Sequence, residues 1–305
     1  MINPLVSVLI PTYDRPHFLR EAVASVLAQE SGDFELIVGD ELGRGEEVCA
    51  AFADPRVRYI RNPVRLGMAN NWNALVAAST APMFGFLMDD DRWAPAFLTA
   101  TVAALEAHER AGFAFTNHLY DHDSVMTTRG RLMRPGWHPS PLLDLLRDKP
   151  ASISGALFRR AATATTIPLP DTAAADMVLF ARVADAGWGC VYVDEPLMTY
   201  RAHEAMFSGS SAFRDDVVRA WEGLSFAHPE AEGLRRRHLA DALTARGADH
   251  LKHRRTAPAR ADLRAARALA RPGPRALALT ALSTAPVLLP LAERVRRQPL
   301  RRPTK

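Results

Sequence analysis

The sequence predicts an α/β fold: a mostly parallel sheet with helices on both faces, followed by a helical C-terminal appendage. Three observations carry this. Short apolar runs alternate with segments of helical spacing through the first two-thirds of the chain, the pattern of strands joined by crossover helices. One such run, residues 83–88, ends in three consecutive carboxylates, Asp89, Asp90 and Asp91; in open α/β sheets, ligands bind outside the carboxyl ends of the strands. The charge also changes sign late. Residues 1–230 carry 20 basic and 29 acidic side chains and residues 231–305 carry 18 and 5, so an acidic body precedes a basic tail with a role of its own.

Leu5 to Ile10 reads as the first buried strand, closed by the turn Pro11-Thr12-Tyr13-Asp14-Arg15-Pro16. Phe18, Ala22, Val26 and Leu27 then recur at helical spacing, giving a helix over roughly 17–29. Phe34 to Val38 is the second strand and ends at Gly39-Asp40-Glu41. A short helix around Val48, Ala51 and Phe52 leads to a third strand, Val57 to Ile60. Met68 to Ala78 is helical, Met83 to Met88 is the fourth strand, Pro95 to Arg110 is a helix and Phe113 to Thr116 is a fifth strand. Residues 121–150 are polar, with Gly and Pro, and read as a loop or flap. Ile153 to Phe158 is a further strand, Asp176 to Asp185 a helix and Cys190 to Val193 another strand. From about residue 215 the pattern is helical and Arg-rich. The expected division is a nucleotide-binding and catalytic domain over 1–212 and a basic helical region over 213–305.

Several classes are excluded. Cys49 and Cys190 are the only cysteines, which argues against a disulfide scaffold and fits a reducing cytoplasm. No basic n-region precedes the first strand, so no secretory signal is expected. No G-x-G-x-x-G follows a strand, which argues against a dinucleotide oxidoreductase. Ala276 to Ala292 is free of charge but short for a span and interrupted by Pro286 and Pro290; it reads as a buried or interfacial helix. With its Arg flanks it suggests peripheral contact with an anionic membrane at the inner face. The tail has few aromatics among its charges, and no nucleic acid is expected as a partner.

The carboxylate cluster suits a hard divalent cation, Mg²⁺ or Mn²⁺, and through it a phosphate-bearing substrate. A plain acidic turn is the structural alternative. Asp40 ends its strand at the same edge, where a carboxylate can accept the imide N–H of a uracil or thymine ring or a ribose hydroxyl. Tyr13 there can offer its ring to a base.

Five pieces in order carry a family resemblance: residues 6–15; residues 35–41; Arg61-Asn62-Pro63 through Leu66-Gly67 to Asn73; Phe86 to Asp91 with Trp93 and Pro95; and Tyr200-Arg201-Ala202-His203. Over about residues 5–210 the chain resembles a family 2 glycosyltransferase of the GT-A fold, a Rossmann-type sandwich. The resemblance implies a metal-dependent, inverting transfer from a nucleotide-diphosphate sugar, UDP- or dTDP-linked for preference, to a hydroxyl of a glycan, lipid or small-molecule acceptor. It implies that Asp89, Asp90 and Asp91 hold Mn²⁺ or Mg²⁺ against the diphosphate, with Asp89 nearer the ribose and His203 as a further metal or diphosphate ligand. Pro11, Thr12, Tyr13, Arg15, Asp40, Asn73, Asp89 and Asp90 then line the nucleotide site. Asp176 occupies the slot of the general base, with Asp171 as the fallback; the chain departs from the family at Ala175, where relatives carry a first acid, and at Glu41, where they carry a second Asp. Residues 121–150, with His122, Trp137 and His138, are expected to shape the acceptor site. The alternatives are a non-catalytic or weakened sugar-nucleotide binder and a sugar nucleotidyltransferase, although the turn Pro11 to Pro16 is not the Gly-rich phosphate loop of the latter.

Overall fold

The structure, a computed structural model, describes residues 4–122, 125–128, 130–148, 150–202 and 210–284. The chain packs as two compact units, residues 1–206 and 207–305. The first contains β1 (Val6–Thr12), α1 (Pro16–Leu27), β2 (Phe34–Asp40), α2 (Glu46–Ala50), β3 (Val57–Arg61), α3 (Met68–Ala78), β4 (Met83–Phe86), β5 (Arg92–Trp93) and α4 (Phe97–Glu106). It continues with β6 (Ala111–His122), β7 (Val125–Thr128), β8 (Gly136–His138), α5 (Leu142–Asp148), β9 (Ala156–Arg159), α6 (Arg160–Thr163), α7 (Ala175–Asp185) and β10 (Gly189–Ala202). The second unit holds α8 (Ser211–Glu222), α9 (Pro229–Lys252), α10 (Thr256–Leu269) and α11 (Pro274–Thr284).

One sheet runs in the order β3-β2-β1-β4-β9-β6-β10-β5, with β7 against β6 and β8 against β10. The four strands from β3 to β4 are all parallel, as their alternation with helices requires. β9 lies antiparallel between β4 and β6, and β6 pairs parallel with β10. The carboxyl ends of β1, β2, β4, β6 and β10 therefore share one edge.

Side-chain alternation along β1 builds two cores. Val6, Val8 and Ile10 face α1 and α4 through Leu19, Val23, Val26, Phe97 and Leu98. Leu9 faces the other way, toward Trp72 and Leu75 of α3, Phe84 and Phe86 of β4 and Leu179 of α7. Trp72 stacks on Phe86 at 4.8 Å between centroids. At Gly39 in β2, an added methyl would lie 2.6 Å from Asn71 Oδ1 and 2.9 Å from Leu75. Gly39→Ala is expected to lower the denaturation free energy by about 1–3 kcal/mol, the usual cost of overpacking, checked by urea titration.

The structure extends several expected elements. β6 runs to His122 and β10 spans Gly189 to Ala202, far beyond their apolar centres, because each supplies the other's backbone partners. β10 shifts register against β6 between Val193 and Pro196 and again between Pro196 and Met198. The polar 121–150 segment contains β7, β8 and α5. Ile153–Gly155 forms a 3₁₀ turn, so β9 begins only at Ala156.

In the second unit, Leu234, Leu239, Leu243 and Leu251 of α9 and Ala259, Leu263 and Ala266 of α10 are buried. Ser210 caps α8 by accepting the Phe213 N–H at 3.1 Å, the usual work of a serine at that position. The Arg246 guanidinium grips Asp262 with two bonds, 2.9 and 2.7 Å.

Candidate active site

The shared carboxyl edge collects the acidic cluster. Thr12 and Asp40 end β1 and β2 in register, and the Leu87 N–H donates to the Leu9 carbonyl just beyond β4. This brings Asp89 beneath the end of β1, where the Thr12 hydroxyl donates to its Oδ2 at 2.7 Å. One nitrogen of Arg15 reaches both Asp89 Oδ1, 3.3 Å, and Asp90 Oδ2, 2.7 Å. Asp91 closes the turn, its N–H on the Met88 carbonyl at 3.0 Å. The Asp91 carboxylate accepts the Arg201 backbone N–H at 3.1 Å and a bond from the Ser154 side chain.

Asp89 and Asp91 are buried, 6% and 3% exposed. Burial, with the charge of Asp90 beside it, pushes the Asp89 carboxyl up to about 6. The same two causes, in the same order, raise Asp91. Crowded buried carboxylates are costly without a compensating cation, so the donor chemistry fits a divalent metal. Among the described residues no three His, Cys, Asp or Glu side chains converge as a ready-made cage. Asp89 turns toward Thr12 and Arg15, and Asp91 toward Ser154 and Arg201. The fit is thus to an ion held by one or two carboxylates and completed by substrate phosphates and water, the habit of Mg²⁺. His203 lies outside the described residues.

Two expected nucleotide contacts are engaged elsewhere. Asp40 is 1% exposed. Its Oδ1 accepts the N–H groups of Leu42 and Gly43 at 2.8 and 3.0 Å, and its Oδ2 accepts the Gly45 N–H at 2.6 Å and the Tyr59 hydroxyl at 3.0 Å. With four partners, its acceptor capacity is filled; Asp40 organises the loop after β2 rather than offering an open carboxylate to a base. Asn73 likewise gives its amide to Leu169, donating to the carbonyl at 2.9 Å and accepting the N–H at 2.7 Å. It fixes the segment before α7 from a distance. Asn73→Ala is expected to cost about 1–3 kcal/mol of stability through the orphaned Leu169 groups while leaving nucleotide affinity unchanged, read by thermal melting and by calorimetry on one preparation.

The flap aromatics also sit away from the cluster. Trp137 and His138 pair with Val191 and Cys190, at the amino end of β10, the opposite edge from Asp91. Trp137 stacks on His108 at 5.1 Å. These residues close the far end of the sheet, which corrects the expectation that they shape an acceptor site. His122, at the end of β6, does lie on the carboxyl edge.

Other expected residues converge there. Pro11 is buried in β1 opposite Gly39 and directs the chain to Thr12. Tyr13 is 41% exposed, and the Arg65 guanidinium covers one face of its ring at 4.3 Å. Asp176 stands in the first turn of α7, whose N-cap is Ala174, so it is not the helix cap. Tyr200 ties it to the cluster: burial raises the Tyr200 phenol, followed by the charges of Asp91, Asp90, Tyr120 and Asp176. The Tyr120 and Tyr200 rings meet edge to face at 5.6 Å.

Several contributors had no signal in the sequence. Ser154 also accepts the Met88 N–H at 3.1 Å. Glu21 on α1 pairs with both Arg92, 2.9 Å, and Arg201. Arg92 in turn reaches Asp121 at 2.9 Å. Glu41, a departure from the family pattern, accepts the Leu66 and Gly67 N–H groups at 2.8 and 2.7 Å and pins the turn into α3. Asp171 lies beside that turn at Gly67. Such pairings join residues from 25 to 180 positions apart, beyond the reach of local pattern.

A sandwich of this topology, with a carboxylate turn after its fourth strand at the common carboxyl edge, is the GT-A fold. The chain belongs to glycosyl transferase family 2, whose family model matches residues 7–165. The Staphylococcus aureus TarS fragment 1–349, solved with UDP-GlcNAc, superposes with a TM-score of 0.67 over 97% of this chain and 93% of that one, at 13% identity. The mannosyltransferase PcManGT of Pyrobaculum calidifontis, solved with GDP-Man and Mn²⁺, superposes with a TM-score of 0.60 over 97% and 88%, at 17% identity. At such identities the likeness is one of fold. Among curated sequences, the Escherichia coli UDP-Glc:alpha-D-GlcNAc-diphosphoundecaprenol beta-1,3-glucosyltransferase WfgD is 29% identical over 95 residues, 30% of this chain and 38% of that protein. The chain spans less than half the length of the curated relatives it matches.

Proposed function

We propose that this chain is a metal-dependent inverting glycosyltransferase that moves a sugar from a nucleotide diphosphate to an acceptor hydroxyl. The observation that carries the reading is the single carboxyl edge on which Arg15 grips Asp89 and Asp90 and on which Asp91, Asp90 and, more weakly, Asp176 act on Tyr200. A diphosphate needs positive charge and a site able to hold a cation; an acceptor hydroxyl needs a base on the opposite side of the reacting carbon. Two relatives of the same fold were solved with nucleotide sugars, one of them with Mn²⁺.

In this reading Asp91 and Asp90 hold the metal, Asp89 lies toward the ribose, and Arg15 is a second positive charge for the diphosphate. The bound metal supplies Lewis-acid stabilisation of the departing phosphate. Tyr13, backed by Arg65, gives a stacking face for the base. Asp176 takes the acceptor proton as the acceptor oxygen attacks the anomeric carbon; the bond from that carbon to the diphosphate oxygen breaks, and the configuration inverts. Tyr120 and Tyr200, edge to face beside the carboxylates, offer an aromatic surface suited to a sugar ring. The acceptor is a glycan, a lipid-linked saccharide or a small molecule, and the reaction takes place in the cytoplasm.

Calorimetric titration of UDP, dTDP and GDP, each with Mn²⁺ and with EDTA, tests the donor class. One nucleotide is expected to bind at least tenfold more tightly with Mn²⁺. Equal binding with and without metal, or none, would sink the role given to Asp89–Asp91 and leave a non-catalytic binder as the better reading.

A further inference from the structure

In the second unit, positive charge is least balanced by acids over residues 250–284. Residues 250–284 contain eight Lys and Arg and a single acid, Asp262, and Asp262 is buried and gripped by Arg246. α10 turns Ala259, Asp262, Leu263 and Ala266 inward. Its arginines follow another stripe: Arg260, Arg264 and Arg267 are exposed. At ~100° per residue their spacing places the three within an arc of about 60°. Exposed Arg271 and Arg275 continue the charge past the helix end.

Beside this stripe lies α11, which after Arg275 has no charged residue through Thr284. Only Ser283 of α11 is buried, and Leu277 is 52% exposed. The Arg260 Nε donates to the Ser283 carbonyl at 2.9 Å, tying the apolar helix to the basic one. Leu279 and Leu282 are half-buried while Leu277, Ala278 and Ala281 are exposed; an apolar helix with one face open next to a row of arginines is the pattern of a segment that lies in a lipid interface. No described helix is long and apolar enough to cross a bilayer.

We propose that α10 and α11 dock this chain on an anionic lipid bilayer, with Arg260, Arg264, Arg267 and Arg271 on the headgroups and Leu277 at the acyl boundary. Charge complementarity selects an anionic surface, and the apolar helix selects lipid over nucleic acid. Neither α10 nor α11 contains an aromatic residue on which bases could stack, and Trp221 and Phe226 of the same unit are buried. The surface is independent of the transfer chemistry, so either proposal can fail without the other.

The test is co-sedimentation of the full chain with phosphatidylcholine vesicles containing about 30% phosphatidylglycerol, and with pure phosphatidylcholine. Binding is expected to the anionic vesicles alone and to be lost in high salt. Each Arg neutralised near the surface is worth about fivefold in partitioning. The double variant Arg264→Gln/Arg267→Gln should therefore weaken binding about 25-fold, and the uncharged Leu277→Ser should weaken it at low salt without changing the charge dependence of what remains. Thermal melting and nucleotide titration identify variants that fold as the parent does; Arg260→Gln/Arg271→Gln replaces a double variant that does not. Equal binding to both vesicle types, no binding to either, or no change in the double variants overturns the proposal. Binding to a 20-base DNA without vesicle binding overturns it in favour of a nucleic acid partner.

Discussion

Asp176→Asn is expected to lower kcat by about 10²- to 10⁴-fold, the usual contribution of a positioned general base, while the dissociation constant of the nucleotide diphosphate stays unchanged. The separation of the two readouts follows from placement. Asp176 projects from the first turn of α7, whereas the groups proposed to hold the diphosphate come from the ends of β1 and β4. The amide matches the carboxylate in shape, and the helix keeps Ala174 as its N-cap, so the fold should tolerate the change. Single-turnover kinetics with donor binding on the same protein decide the matter. Parallel loss of affinity and turnover would move Asp176 into the donor site. Unchanged turnover would pass the base to Asp171, and donor binding without turnover in the parent itself would point to a binder.

The second large effect is expected at Asp91. Asp91→Asn should abolish the Mn²⁺ dependence of nucleotide binding and reduce turnover by at least about 10²-fold, since the metal's charge stabilisation is worth several kcal/mol. The direction of the stability change distinguishes this from damage. The asparagine can still accept the Arg201 N–H, and its amide can donate to the Ser154 hydroxyl. It also removes a negative charge that is buried beside Asp90. The melting temperature of the metal-free variant is therefore expected to equal or exceed that of the parent while activity falls. A fall in both would mean that the charge itself holds the turn together.

The parts of this site legible in the sequence were those written in consecutive residues. The apolar run into Asp89–Asp91 gave both a strand and the sheet edge where the carboxylates gather, because burial of the run and crowding of the carboxylates are properties of neighbours. The four-strand parallel half followed from alternation alone. Asp40 and Asn73 show the limit. Asp40 does end its strand at the common edge, but whether a carboxylate or an amide is open or already fully bonded depends on how distant loops close, which no local pattern encodes. Trp137 and His138 failed for a related reason: they sit in a polar stretch that looks like an active-site flap, yet their strand pairs with the amino end of β10. Glu21 and Ser154 were invisible because a lone polar residue on a helix or before a strand carries no mark of its distant partner. The tail was legible as charge, and only the packing of α9 on α10 showed which arginines remain outside.

The irregular middle of β10 constrains how this sequence can change over time. From Val193 to Met198 the strand advances five residues while β6 advances two, from Thr116 to His118. The surplus of three is odd, and since side chains alternate with a period of two, it inverts which of them face each side of the sheet. Loss or gain of one residue in this stretch would restore the other phase. Tyr200 and Arg201 would exchange faces, breaking the Arg201 pair with Glu21 and carrying the Tyr200 ring away from Asp90 and Asp91. A one-residue indel here acts as a frameshift in space: every codon downstream is still read correctly, yet the site lining is rewritten. Viable length changes in this stretch are thus confined to pairs of residues.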